Sequence, residues 1–169
     1  MNERINNIDM ERLNNTDEKI RKNDGHFTAE KHIAGEFHFD GSPMFTADLK
    51  SEMATFTMGA DEPGVLGGMG IQPTPLNYLM MGVMSCYAST VAIQAAKKGI
   101  KLLKLKFTGH LYYDIGPVVE ESDFPIIKAL NIDVEADKDI GEVLKLSEKA
   151  CPALYAIRNP IQTEIKQIK

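Results

Sequence analysis

Tryptophan is absent from this chain, and cysteine occurs only twice in 169 residues. A secreted scaffold held by disulfides would carry more cysteine in a shorter chain. The opening MNERINNIDMERLNN also lacks the apolar stretch of a signal peptide. Both absences point to the cytoplasm, where thiols are mostly reduced. Basic clusters are missing too. The 19 Lys and Arg residues are scattered with no run longer than two, and the net charge is −5. Such a surface argues against nucleic-acid and anionic-membrane partners, which reward dense positive charge on one face. No metal or organic cofactor is expected. The four histidines (26, 32, 38 and 110) stand at no metal-ligand spacing from a cysteine. Gly64, Gly67, Gly68 and Gly70 lack the lysine and hydroxyl ending of a phosphate loop and read as a turn. The length suits one domain, or one domain with an appendage.

The most informative absence is local. Residues 63–96 contain no charged side chain. Within them, Thr74-Pro75 reads as an N-cap followed by proline at the first helical position. Lys97, Lys98 and Gly99 read as a basic last turn and a glycine stop. The pattern predicts a helix of about six turns from Pro75 to Lys98. Its stretch from Tyr78 to Ala96 is long enough to cross a bilayer, but Gly82, Ser85, Ser89, Thr90 and Gln94 dilute it. A helix without charge on any face is more simply enclosed by protein. A chain this short supplies little cover, so burial between two subunits is the expectation.

The rest alternates as strands do. Phe27, Ala29, Ile33, Gly35, Phe37 and Phe39 share one parity, with His26, His32 and His38 on the other, so 27–40 reads as a half-buried strand. Lys31 falls on the apolar parity, which a bulge would explain. Strands follow at 45–49, 54–58, 102–113, 130–134 and 161–165. An acidic loop occupies 114–124, and a second helix runs from a cap at Asp139 to Cys151, where Pro152 breaks it. Residues 1–24 hold eleven charged residues and six asparagines and read as an arm, with Met10, Leu13 and Ile20 on a possible helical stripe. The body is then 25–169. The order of elements is α+β, with antiparallel meanders against two helices.

Two residues are the candidates for chemistry. Cys86 lies mid-helix on the strip of Leu79, Val83 and Thr90, and Cys151 lies on the apolar side of the second helix. Each also suits an inert core position, since cysteine is among the most buried residue types. As a thiolate, Cys86 would be a nucleophile, but a mid-helix site gains nothing from a helix N-terminus.

The segment 61–100, DEPGVLGGMGIQPTPLNYLMMGVMSCYASTVAIQAAKKGI, resembles the central helix region of the OsmC/Ohr superfamily, the osmotically inducible and organic hydroperoxide resistance group. LSEKACPALYAIRNPIQTEI (146–165) resembles its second-cysteine region, and the N-terminal arm resembles that of one OsmC-like branch. The resemblance implies antiparallel sheets around two long central helices in an intertwined homodimer. It implies Cys86 as the peroxidatic and Cys151 as the resolving residue in reduction of an organic or lipid hydroperoxide, with a cellular dithiol as reductant. Two features of the peroxidase members are missing. An acid early in the helix is replaced by Pro75, Leu76 and Asn77, and no arginine lies between Arg21 and Arg158. The alternative is a non-catalytic dimer holding an apolar or acyl-type molecule at the subunit interface, near Met80, Met81 and Met84.

Overall fold

A computed structural model describes residues 3–168. Met1, Asn2 and Lys169, the outermost residues of the expected arm (1–24) and body (25–169), lie outside them. The chain starts with a tight hairpin of β1 (Arg4–Ile5) and β2 (Ile8–Asp9). Asn6 and Asn7 make its turn with φ of 53° and 64°, the left-handed backbone a two-residue hairpin requires. Next come α1 (Met10–Lys22), β3 (Gly35–Phe37), β4 (Phe45–Lys50), β5 (Thr55–Ala60) and α2 (Pro75–Lys97). The chain continues through β6 (Leu105–Tyr113), α3 (Gly116–Val119), β7 (Ile127–Ala136), α4 (Gly141–Ala150) and α5 (Pro152–Arg158). This is a mixed fold of helices and small antiparallel sheets, in two compact units: residues 3–17 with 82–168, and residues 18–81.

The first unit owns the hydrophobic core. β6 and β7 pair antiparallel from Leu105 opposite Ala136 to Leu111 opposite Leu130. The period-2 alternation puts Leu105, Phe107, Leu130, Ile132 and Val134 on one face. They pack against Val83, Tyr87, Val91 and Ala95 of α2, Val143 of α4 and Leu154 of α5. The Tyr87 and Phe107 rings meet edge to face at 5.8 Å. The C-terminal stop of α2 forms as the sequence requires. Gly99 takes φ 69°, its N–H donates to Ala96 O, and the Ile100 N–H reaches back to Ala95 O. The arm attaches at this stop. Asn6 donates through Nδ2 to Ile100 O at 2.8 Å and accepts the Leu102 N–H at Oδ1 at 2.8 Å, while Ile5 is buried beside it.

The second unit is an antiparallel meander in the order β3-β4-β5, with Phe45 opposite both Phe37 and Ala60. The start of α2 is capped within it. The Thr74 N–H and hydroxyl both donate to Asn77 Oδ1, at 3.0 and 2.6 Å. Asp61, at 1% exposure, is the one buried residue of this unit among the described residues. Its Oδ2 accepts from Ser42 Oγ and the Ile71 N–H, which pins the glycine-rich turn.

Two expectations are corrected. The strand expected over 27–40 is regular only at Gly35–Phe37, and Phe27 and Ile33 are exposed. The strand expected at 161–165 does not form, and Ile161 and Ile165 stand exposed in irregular chain. In both places the alternation is present but the chain offers no ladder and no facing layer, and a strand needs both. The uncharged helix is only partly covered by its own chain, as a chain this short leads one to expect. Only 28% of its most apolar 18-residue window is buried, and Leu79 and Met81 face outward.

Candidate functional site

The site is built where α2 crosses the junction of α4 and α5. Pro152 has no N–H to continue α4 and instead opens α5 at its first position. Cys151 therefore sits in extended backbone between two helices, φ −80° and ψ 116°. Its N–H donates to Ser147 O and its carbonyl accepts the Tyr155 N–H, both at 2.9 Å, so the junction is fixed on either side. The side chain turns inward and is 1% exposed. Cys86 packs against the same core from α2 and remains partly exposed.

The two sulfurs are 3.6 Å apart, within hydrogen-bond distance for thiols. Both are free thiols. A disulfide needs about 2.05 Å, so closure asks for a sulfur displacement of roughly 1.5 Å, within the reach of side-chain rotation. The segment between them, 65 positions from one cysteine to the other, holds the strand pair that carries the two helices into contact. Nothing in the linear spacing of the two cysteines predicts that distance.

The electrostatics run against easy ionisation. Burial pushes the Cys86 thiol up from its ordinary pKa. The backbone N–H of Ala153 draws it down, but the neighbouring Cys151 thiol pushes it up again, and the net direction is upward. Among the described residues, no cation is a cause of the shift. Cys86 is eleven residues into α2, about 16 Å from its N-terminus, beyond the reach of that helix end. Asn77, at the position where an acid was missing from the sequence, is occupied in capping α2.

The other polar side chains of α2 are satisfied by the helix itself. Thr90 Oγ1 donates to Cys86 O, Ser89 Oγ to Ser85 O and Ser85 Oγ to Gly82 O. Such back-bonding makes hydroxyls tolerable on an apolar face. His26, His32 and His110 are exposed, and His38 is half-buried with its Nε2 2.8 Å from Thr46 Oγ1. Lys31 is exposed in the second unit. No three His, Cys, Asp or Glu side chains converge on a metal site among the described residues. Two participants were not read from sequence: the Ala153 N–H, and Tyr87, whose hydroxyl donates to Leu144 O at 3.3 Å and ties α4 to α2. A proline after Cys151 was a usable signal for the first, since a proline that starts a helix leaves the N–H groups of the next turn without partners.

The family profile described as OsmC-like protein matches residues 67–166, which include both cysteines. The chain belongs to the OsmC-like family. Solved structures share this OsmC-like fold at low identity. An OsmC-like protein from Mycoplasma pneumoniae is 20% identical with a TM-score of 0.57, covering 78% of this chain and 89% of its own. An organic hydroperoxide resistance protein OsmC from Legionella pneumophila is 19% identical with a TM-score of 0.54, covering 78% and 92%. The organic hydroperoxide resistance protein OhrB of Bacillus subtilis is 16% identical with a TM-score of 0.50, covering 78% and 91%. No curated protein matches the chain.

Proposed function

We propose that this OsmC-like protein is a cytoplasmic, thiol-dependent peroxidase that reduces organic or lipid hydroperoxides through Cys86 and Cys151. One observation carries the reading: the 3.6 Å approach of two sulfurs from distant parts of the sequence. Ionised Cys86 attacks the terminal oxygen of the hydroperoxide, the O–O bond breaks, and an alcohol leaves after protonation. The sulfenic acid left on Cys86 condenses with the Cys151 thiol to a disulfide and water. A dithiol returns both cysteines to thiols. Two of the named solved structures are organic hydroperoxide resistance proteins by description, which supports the substrate class.

The working unit in this reading is a homodimer. The outward apolar residues of α2, Leu79 and Met81, and the exposed phenylalanines of the meander ask for a cover that a second copy supplies. Thiolate formation is the demanding step, because the thiol pKa is raised. Stopped-flow consumption of cumene hydroperoxide tests the proposal. The wild type is expected to show a second-order rate that Cys86→Ser reduces to background, and equal background rates for both would reject it. The rate should keep climbing with pH past the ordinary thiol value of about 8.5, because the ionised fraction is still rising there.

The raised thiol pKa favours a second reading, a homodimer that holds an apolar or acyl-type molecule at its interface without chemistry. Native mass spectrometry separates the two. Co-purified ligand together with an unreactive Cys86 supports the second reading.

A further inference from the structure

The geometry points to a binding site for an aliphatic carboxylate of about six to ten carbons, in a cleft between α4, α5 and β7. The site lies within one subunit and uses neither thiol. Its volume is about 240 Å³. Tyr87 and Leu154 form the buried base, and Leu130, Ile132 and Ile157 form aliphatic walls. The face assigned above to a second copy is Leu79 and Met81 of α2 with the meander, and none of these residues lines the cleft.

Two charges stand at the mouth. Glu148 and Arg158 line the same cleft, and Arg158 Nη1 donates to Glu148 Oε2 at 3.2 Å, joining α4 to α5. Both positions flank the buried side of their helices. Glu148 follows the partly buried Leu144 by one turn, next to the buried Ser147. Arg158 follows the buried Leu154 by one turn. Apolar side chains at these two positions would close the cleft, whereas a charged pair leaves apolar walls beneath a polar rim.

That combination selects an amphiphile with an anionic head. A dry cavity of about 150 Å³ holds benzene, so this volume suits a chain of the stated length. The guanidinium carries five N–H donors in a planar fork that matches a carboxylate, and among the described residues it makes one hydrogen bond, to Glu148. The ion pair is weak, since its side chains are 54% and 45% exposed and a single contact holds them. A ligand carboxylate therefore replaces Glu148 on the fork, with two bonds in place of one. Its chain fills the space below, a gain that Glu148 lacks, and Glu148 turns to solvent. The base does not repel the anion. Burial first, and then Glu148, pushes the Tyr87 phenol above its ordinary pKa, so it is neutral. Its hydroxyl is committed to Leu144 O, which leaves the fork to fix the head.

Octanoate is the probe, titrated into reduced protein with labelled isoleucine, leucine and methionine methyl groups and followed by NMR. Saturable shifts are expected at Leu130, Ile132, Leu154 and Ile157. Octanol, with the same chain and no charge, should bind at least about tenfold more weakly. Arg158→Gln should weaken octanoate by at least about tenfold. Glu148→Gln should tighten it about two- to fivefold, because the resident competitor is gone. Both side chains are exposed, so these variants keep the fold. Absence of saturation, equal affinity for octanol, affinity unchanged in Arg158→Gln, or affinity not raised in Glu148→Gln overturns the inference. Shifts confined to Met80, Met81 and Met84 overturn it too, since they would put the ligand at the subunit interface. No hydroperoxide enters the titration, so a failed peroxidase assay leaves this site standing.

Discussion

The two units of this protein carry comparable hydrophobic patterns and treat them differently. In residues 82–168, the alternating residues of β6 and β7 meet α2, α4 and α5, and Val91, Val143 and Cys151 are essentially sealed. In residues 18–81, the alternating residues of the meander remain open, with Phe39 at 91% and Phe56 at 56% exposure, and the buried side chain is the carboxylate of Asp61. Alternation fixes which residues share a face. It does not supply the layer that covers the face. The first unit brings its own layer, and the site sits there because a rigid core is what can hold two sulfurs at contact distance.

Core truncation should sharpen this contrast most. Leu154→Ala, at a position 4% exposed, is expected to cost about 2–5 kcal/mol in urea unfolding. It should also lower the yield of diamide-formed disulfide, because Leu154 packs in the same cluster as Cys151. Phe56→Ala should give a loss that grows as protein concentration falls, together with a smaller species in light scattering. That outcome places a second copy over the meander, whereas a small loss independent of concentration would mean the face is open in solution.

A smaller effect is expected at the arm. Asn6→Ala removes the bonds to Ile100 O and Leu102 N–H and puts alanine, which visits left-handed backbone less readily than asparagine, at φ 53°. A loss of about 1–3 kcal/mol is expected, with faster amide exchange at Leu102. If exchange there is unchanged, the arm is not anchored at the end of α2.

The smallest effect is electrostatic and local to the β6–β7 pair. Asp137 accepts the Leu103 and Lys104 N–H groups, and Glu135 pairs with Lys104 and Lys106. These bonds hold both carboxyls below their ordinary pKa. A carboxyl with a lowered folded-state pKa adds stability that is present above the unfolded value and is lost as pH falls through the folded one. Amides near Leu103 should therefore lose protection as pH drops below about 4. Asp137→Asn should flatten that dependence, because the amide oxygen still accepts hydrogen bonds but no longer titrates. Both carboxyls are exposed, so the effect on global stability is small.

Much of the fold was legible because it is set by local rules. Thr74-Pro75 and Lys97-Lys98-Gly99 bounded α2 to within a residue, since caps and stops are backbone effects of neighbouring side chains. The strand pairs Phe45–Lys50 with Thr55–Ala60 and Leu105–Tyr113 with Ile127–Ala136 follow from alternation between turns. Residues 27–34 and 161–165 alternate just as well and form no strand, because pairing is a property of two segments and not of one.

The same division runs through the site. The amino-acid sequence determined that Cys86 lies mid-helix on an uncharged segment, that Pro152 ends a helix at Cys151, and that no arginine lies between positions 21 and 158. The tertiary structure decided that the sulfurs stand 3.6 Å apart, that one is sealed and the other is not, and that burial raises the thiol pKa. The physical reason is one of range. Capping, helix breaking and alternation act over a few residues and can be read along the chain. Distance, exposure and desolvation depend on atoms that are far apart in sequence and acquire values only when the core has packed.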